Sequence, residues 1–135
     1  MADAFTFELV SPERLLLSEE VTEVVVPGTD GYFTVMANHA PTMSTLQPGV
    51  ATVKTSAGKQ EEYVIFGGFI DVLPASCTVL AESAVAKGDL DKADLDARIA
   101  EAKEAAEHAS EGDAKTKADM YVSQLTTLQS TVLAA

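Results

Sequence analysis

The side chains that most often do chemistry are scarce in this chain. There are two histidines, His39 and His108, one cysteine, Cys77, and two arginines, Arg14 and Arg98. His39 lies in "VMANHAPTMSTLQPG", Val35 to Gly49, between Asn38 and an Ala40-Pro41 step. A histidine general base needs an orienting carboxylate and a substrate pocket, and these neighbours offer only amides, small residues and a proline. Asn38 favours a turn, and Pro41 holds Ala40 extended, so the stretch reads as a rigid exposed connection. His39 is therefore read as a recognition or loop-structure residue rather than a catalytic one.

The rest of the chemical inventory points the same way. No histidine or cysteine cluster has metal-ligand spacing, and neither a GxSxG nucleophile elbow nor a Walker A loop occurs. Carboxylates are abundant, but most fall in turns or on helical surfaces. Asp89, Asp91, Asp94 and Asp96 suit the positive end of a helix, and their spacing lacks the central glycine and terminal glutamate of an EF-hand. "FGGF", Phe66 to Phe69, reads as a bulge or a close backbone approach. Cys77, in "CTVLAES", reads as a small buried residue and cannot form an internal disulfide, which suits a reducing compartment. No catalytic residue, metal or cofactor is expected.

The elements carrying these residues change character at Gly88. Before it, "FTFELV" alternates Phe5, Phe7 and Leu9 against Thr6 and Glu8, the period of a strand with one buried face. Further β-rich runs follow, "VTEVVVPG", "GYFTVM", "GVATVKT", "EEYVIFGGFIDVL" and "CTVLAES", separated by turn material. With no amphipathic helix between them, they predict an antiparallel sandwich or flattened barrel. After Gly88, "DLDKADLDARIAEAKEAAEHAS" is rich in helix formers, with Asp89 or Asp91 as its cap and Leu95, Ile99, Ala102 and Ala106 as its apolar stripe.

Glu111 and Gly112 break that helix. A second is predicted from about Asp113, with Ala118, Tyr121, Val122, Leu125, Leu128 and Val132 on one face. The short connection makes the two antiparallel neighbours. The expected fold class is thus α+β, mainly β: a β-sandwich domain over residues 1–88 and a helical hairpin over residues 89–135. Surface pairs such as Asp94 with Arg98 contribute only about 0.3 to 0.5 kcal/mol.

A formal charge of −12, from 21 acidic and 9 basic residues, works against binding nucleic acid or anionic lipid. No apolar run approaches the roughly 20 residues needed to cross a bilayer, so no direct membrane insertion is expected. "MADAFTFELV" lacks the features of a signal peptide, so the chain is expected to stay where it is made. Its partners should be proteins with basic faces, or surfaces that charge does not govern. A small sandwich enzyme or carbohydrate-binding module with a helical tail is the alternative from another class, and an adaptor whose helices dock on a coiled coil is a third.

Four stretches in order, "LVSPERLLLSEEVTEVVVPGTDG", "NHAPTMSTLQPG", "FGGFIDVLPASCTVLAES" and "DLDKADLDARIAEAKEAAEHAS", run through most of the chain. By these it resembles the ε subunits of bacterial F-type ATP synthases, whose mitochondrial counterpart is the δ subunit. The resemblance implies an N-terminal sandwich of about ten strands and a C-terminal hairpin. It implies no catalytic site but a coupling role on the rotating central stalk, joining the γ subunit to the c-ring during proton-driven ATP synthesis. It implies a peripheral position on the cytoplasmic face of the bacterial inner membrane, or on the matrix side in mitochondria.

By the same resemblance, the face meeting γ and the c-ring carries Gly28, Thr29, Asp30, Gly31, Tyr32 and Phe33, together with Asn38, His39, Ala40 and Pro41. The hairpin is the regulatory part, reaching the α and β subunits when extended, a shift that takes roughly 5 kcal/mol of differential stabilisation. The chain departs from the family pattern in two places. Its second helix has only Lys115 and Lys117, both at the start, so weak inhibition of hydrolysis is expected. The nucleotide motif of some members is altered in "LDARIA", which leaves Arg98 as the sole candidate contact, one position early.

Overall fold

The alternation of Phe5, Phe7 and Leu9 becomes strand β1, Phe5–Val10, with those three side chains buried and Thr6 and Glu8 turned outward. The computed structural model describes residues 3–133 and divides the chain into two compact units, Met1–Lys87 and Gly88–Ala135. The first contains six further strands: β2 (Leu15–Gly28), β3 (Gly31–Val35), β4 (Thr42–Thr55), β5 (Gln60–Leu73), β6 (Ser76–Ala81) and β7 (Ala84–Ala86).

The described residues thus form seven continuous strands where about ten were expected. The difference lies in β2, β4 and β5, each 14 residues long. The first part of β2 pairs with β1 and its last part with β3. β5 pairs with β7 through Tyr63–Ile65 and with β6 through Gly68–Leu73. Each long strand therefore bends from one layer into the other, giving five strand segments per layer.

The strand order β1-β6-β5-β4-β2, with β2 returning to β1, closes a ring. One pairing departs from the antiparallel expectation. β1 and β6 run parallel, with Thr6 opposite Ser76 and Val10 opposite Leu80. Alternation reports which face of a strand is buried, not which strand lies beside it. The enclosed core includes Phe7, Leu9, Val21, Val24, Val53, Ile65, Ile70, Val72 and Val79.

Breaks in the ladder fall where the backbone needs them. Pro27 lies within the register shift between Val25 and Gly28, where β2 leaves regular pairing with β4. Gly67 and Gly68 both have positive φ, 112° and 136°. The pairing of β4 with β5 runs in step through this point, from Leu46 opposite Gly68 to Pro48 opposite Phe66. Of the two readings of "FGGF", close backbone approach is therefore the one observed. A Cβ on Gly68 would lie 2.2 Å from the Leu80 carbonyl oxygen.

Cys77 is buried in β6, and desolvation together with the Asp71 carboxylate pushes its thiol up to about 12. The thiolate is the reactive form, so alkylation near neutral pH should be about a thousandfold slower or more in the folded chain than in urea. A thiol-labelling time course in each condition reads this out, and equal rates would contradict it.

In the second unit, α1 spans Lys92–His108 and α2 spans Asp113–Leu133. Of the two cap candidates, Asp91 takes the position, its side chain accepting the Ala93 N–H at 2.9 Å. The helices are antiparallel. The Gln129 amide donates to Asp96 at one end, and the Lys115 ammonium donates to the Ala106 carbonyl, 2.6 Å away, at the other. Leu95, Ile99, Ala102 and Ala106 are buried, as are Leu125 and Leu128. Surface pairs at i,i+4 spacing include Lys92–Asp96 and Lys115–Asp119.

Candidate partner interface

The two segments flagged from the sequence lie at opposite ends of the five-residue strand β3. The first is the tip of the β2–β3 hairpin, where Gly28 faces Gly31 and Thr29-Asp30 form a two-residue loop. Gly31 has φ 131°, a conformation a side chain would strain. The tip is tied to β4. The Thr29 N–H donates to the Thr45 carbonyl at 3.0 Å, their hydroxyls meet at 2.6 Å, and the Gln47 amide donates to the Gly28 carbonyl at 2.8 Å.

Tyr32 continues this bracing. Its ring remains 55% exposed while its hydroxyl accepts the Val50 N–H at 3.1 Å. Gly49 makes room for that approach, since a Cβ there would lie 2.6 Å from the Tyr32 hydroxyl and 2.5 Å from Pro27 Cβ. Phe33, by contrast, turns its half-buried ring against the core cluster. The hairpin is thus a stiff ledge with the Asp30 carboxylate at its tip and an aromatic face beside it.

The second segment is the loop between β3 and β4. Asn38 adopts φ 65°, the left-handed region that asparagine tolerates better than most residues. Its N–H donates to the Pro74 carbonyl at 2.9 Å, anchoring the loop to the β5–β6 turn. His39 Nδ1 is 2.8 Å from the Ala40 carbonyl oxygen, which also accepts the Thr42 hydroxyl at 2.9 Å. A carbonyl can only accept, so the ring donates to it through Nδ1. His39 is half-buried, whereas Ala40 and Pro41 are exposed.

Strand β4 joins the two segments. It starts at Thr42, beside the His39 loop, and reaches Thr45, which holds the hairpin tip, about 10 Å further on. Met43 stands between them at 69% exposure. Across the ladder, Thr45 faces Phe69 and Met43 faces Asp71. Phe69, 40% exposed, lines a shallow depression with Met43, Ser44 and Thr45.

Sequence reading missed Met43 and Phe69 as surface residues. In "GGFIDVL" both parities of the strand are largely apolar, so composition does not separate the outward Phe69 and Leu73 from the buried Ile70 and Val72. The one signal was Asp71, whose parity marks the outward face.

Arg98 lies on α1, in the second unit. It lines a cleft within the hairpin with Glu101, Ala102, Ala105, Ala118 and Tyr121. Glu101 adds negative charge to the same cleft, which opposes a phosphate. Among the described residues no group of three or more His, Cys, Asp or Glu is arranged to hold a metal ion. No described helix is long and apolar enough to cross a membrane.

The described residues thus form a closed sandwich with two braced loop segments and a helical hairpin. Comparison with known proteins identifies the family. Residues 4–87 match the family model for the ATP synthase delta/epsilon chain, beta-sandwich domain. Over all 135 residues, and all of each relative, the chain is 61% identical to an ATP synthase epsilon chain of Mesorhizobium japonicum and 55% identical to that of Brucella anthropi. The chain belongs to the ATP synthase delta/epsilon chain family.

Solved structures agree on the fold. A chain of the Euglena gracilis mitochondrial ATP synthase, in a structure of its OSCP/F1/c-ring, aligns at a TM-score of 0.74 and 23% identity, covering 96% of this chain and 81% of the other. A chain of the Tetrahymena thermophila mitochondrial ATP synthase, from its central stalk and c-ring, aligns at 0.65 and 11% identity, covering 93% and 96%. Family membership favours the coupling-subunit reading over the sandwich enzyme or carbohydrate-binding module.

Proposed function

We propose that this chain is a noncatalytic central-stalk subunit of an F-type ATP synthase, in which the sandwich couples the γ subunit to the c-ring. The observation that carries this reading is full-length identity of 61% to a chain named ATP synthase epsilon chain. The solved relatives named for the central stalk and c-ring support the choice of partners. The braced geometry of the β2–β3 tip and the His39 loop supports Gly28 to Phe33 and Asn38 to Pro41 as the contacting segments, since torque passes only through parts that do not yield. We further place the subunit on the cytoplasmic face of a bacterial inner membrane as a peripheral component.

The hairpin, residues 89–135, is the regulatory part in this reading. Its second helix carries no charged residue after Asp119. Its docking onto partner subunits in an extended state therefore lacks a row of basic contacts to hold it. Arg98, beside Glu101, is a poor phosphate contact for the same electrostatic reason.

The test is reconstitution. Membranes depleted of this subunit should recover proton-driven ATP synthesis with the wild-type chain and recover it poorly with Asp30, Tyr32 and His39 all changed to alanine. Removing residues 89–135 should raise ATP hydrolysis less than about twofold, whereas an activation of tenfold or more overturns the weak-inhibition reading.

A further inference from the structure

The inner face of a sandwich is normally apolar, yet β2 places a carboxylate there. Glu19 shares its parity with Leu17 and Val21 and stands opposite the fully buried Phe7 of β1, on the core side of its layer. From the other layer, β5 sends Glu61 and Tyr63 inward on the same parity as the buried Ile65. The Glu19 carboxyl meets the Glu61 carboxyl at this end of the core, and Lys59 approaches from the β4–β5 turn. That turn is held by the Thr55 hydroxyl, which accepts the Lys59 N–H at 3.1 Å.

The hydrogen-bond inventory of this cluster is short by one donor. The Tyr63 hydroxyl donates to Glu61 Oε2 at 2.9 Å. Glu19 Oε2 is shielded from solvent and has no partner. Two ionised carboxylates can only accept, so neither can satisfy the other. One proton between them changes this, since a carboxyl O–H donates to a facing carboxylate.

We propose that Glu19 and Glu61 form a clasp between the two layers of the sandwich, closed while Glu19 is protonated and donates to the Glu61 carboxylate, and opened when Glu19 ionises. The groups facing the pair are Tyr63 and Lys59, with Phe7 as an apolar wall. Desolvation, then the charge of Glu61, raises the Glu19 pKa above its ordinary 4.5, with Lys59 opposing. Tyr63 is itself pushed up to about 12, mainly by burial, so it remains a donor throughout. The folded state then holds more protons than the unfolded chain. The clasp's contribution is complete below about pH 4.5 and is lost as pH rises through the folded value.

The experiment follows the side-chain carboxyl carbons by NMR in the full chain from about pH 3 to about pH 8, alongside the urea midpoint at each pH. The expected result is a Glu19 midpoint above its ordinary 4.5. Glu19→Gln should lose the fall in urea midpoint that the wild type shows between about pH 4.5 and about pH 7. Should Glu19→Gln fail to fold, the wild-type titration still decides. Glu19 titrating at or below the ordinary value overturns the clasp, as does a Glu19→Gln chain that keeps the wild-type pH dependence.

Discussion

Gly68→Ala should be the most destabilising single-methyl change in the sandwich, lowering stability by about 3 kcal/mol or more. Two independent costs combine. The backbone at φ 136° belongs to a region open essentially to glycine, and the added Cβ would sit 2.2 Å from the Leu80 carbonyl and 2.9 Å from Ala81 Cα. Both obstacles are backbone, so neither yields by a rotamer change. Gly58→Ala provides the control, because its φ is also positive while its Cβ would meet nothing within 4 Å. It should cost about 1 kcal/mol. Urea denaturation of both variants measures the difference, and equal losses would mean that β5 and β6 do not approach as closely as described.

The second large effect concerns recognition. Changing Tyr32 and His39 together to alanine should weaken association with the γ and c-ring assembly by about 30-fold or more, as expected when an aromatic anchor and a polar loop residue leave one interface. Tyr32→Phe separates binding from bracing. It keeps the ring but removes the acceptor of the Val50 N–H, so stability should fall by about 1 kcal/mol while association changes little. Loss of association in Tyr32→Phe comparable to the double variant would assign the effect to a disturbed β4 rather than to a contact surface.

Much of this architecture was legible because the residues speak through local rules. Phe5, Phe7 and Leu9 announced a half-buried strand, the Gly88 transition announced the hairpin, and Leu95, Ile99, Ala102 and Ala106 announced its packed stripe. Cys77 was read correctly as buried from the strand around it. The failures were non-local. Nothing in "FTFELV" or "SCTVLA" states that they lie side by side and parallel. Nothing in "VTEVVVPG" states that the strand begins at Leu15 and crosses between layers, because long bent strands and pairs of short ones share the same alternation.

The proposed interface shows the same division. Asn38, His39 and Pro41 were conspicuous as turn chemistry, and the structure supplies what the sequence could not, the ties from Thr29 to Thr45 and from Asn38 to Pro74 that fix both segments to one framework. Met43 and Phe69 were hidden because their exposure depends on which parity of an apolar strand faces out. Glu19 was hidden for the opposite reason: in the run Ser18-Glu19-Glu20 only the strand pairing distinguishes the inward carboxylate from the outward one, which accepts the Thr6 hydroxyl at 3.1 Å.

Whether the sandwich or the hairpin is the coupling module is decided by the affinity of the purified γ subunit for three chains: the full length, a chain ending at Gly88, and the full length with Tyr32 and His39 changed to alanine. The chain ending at Gly88 should bind within about threefold of the full length, while the loop variant should bind about 30-fold more weakly. Retained binding by the loop variant together with lost binding by the shortened chain would contradict this and move the coupling role to the helices.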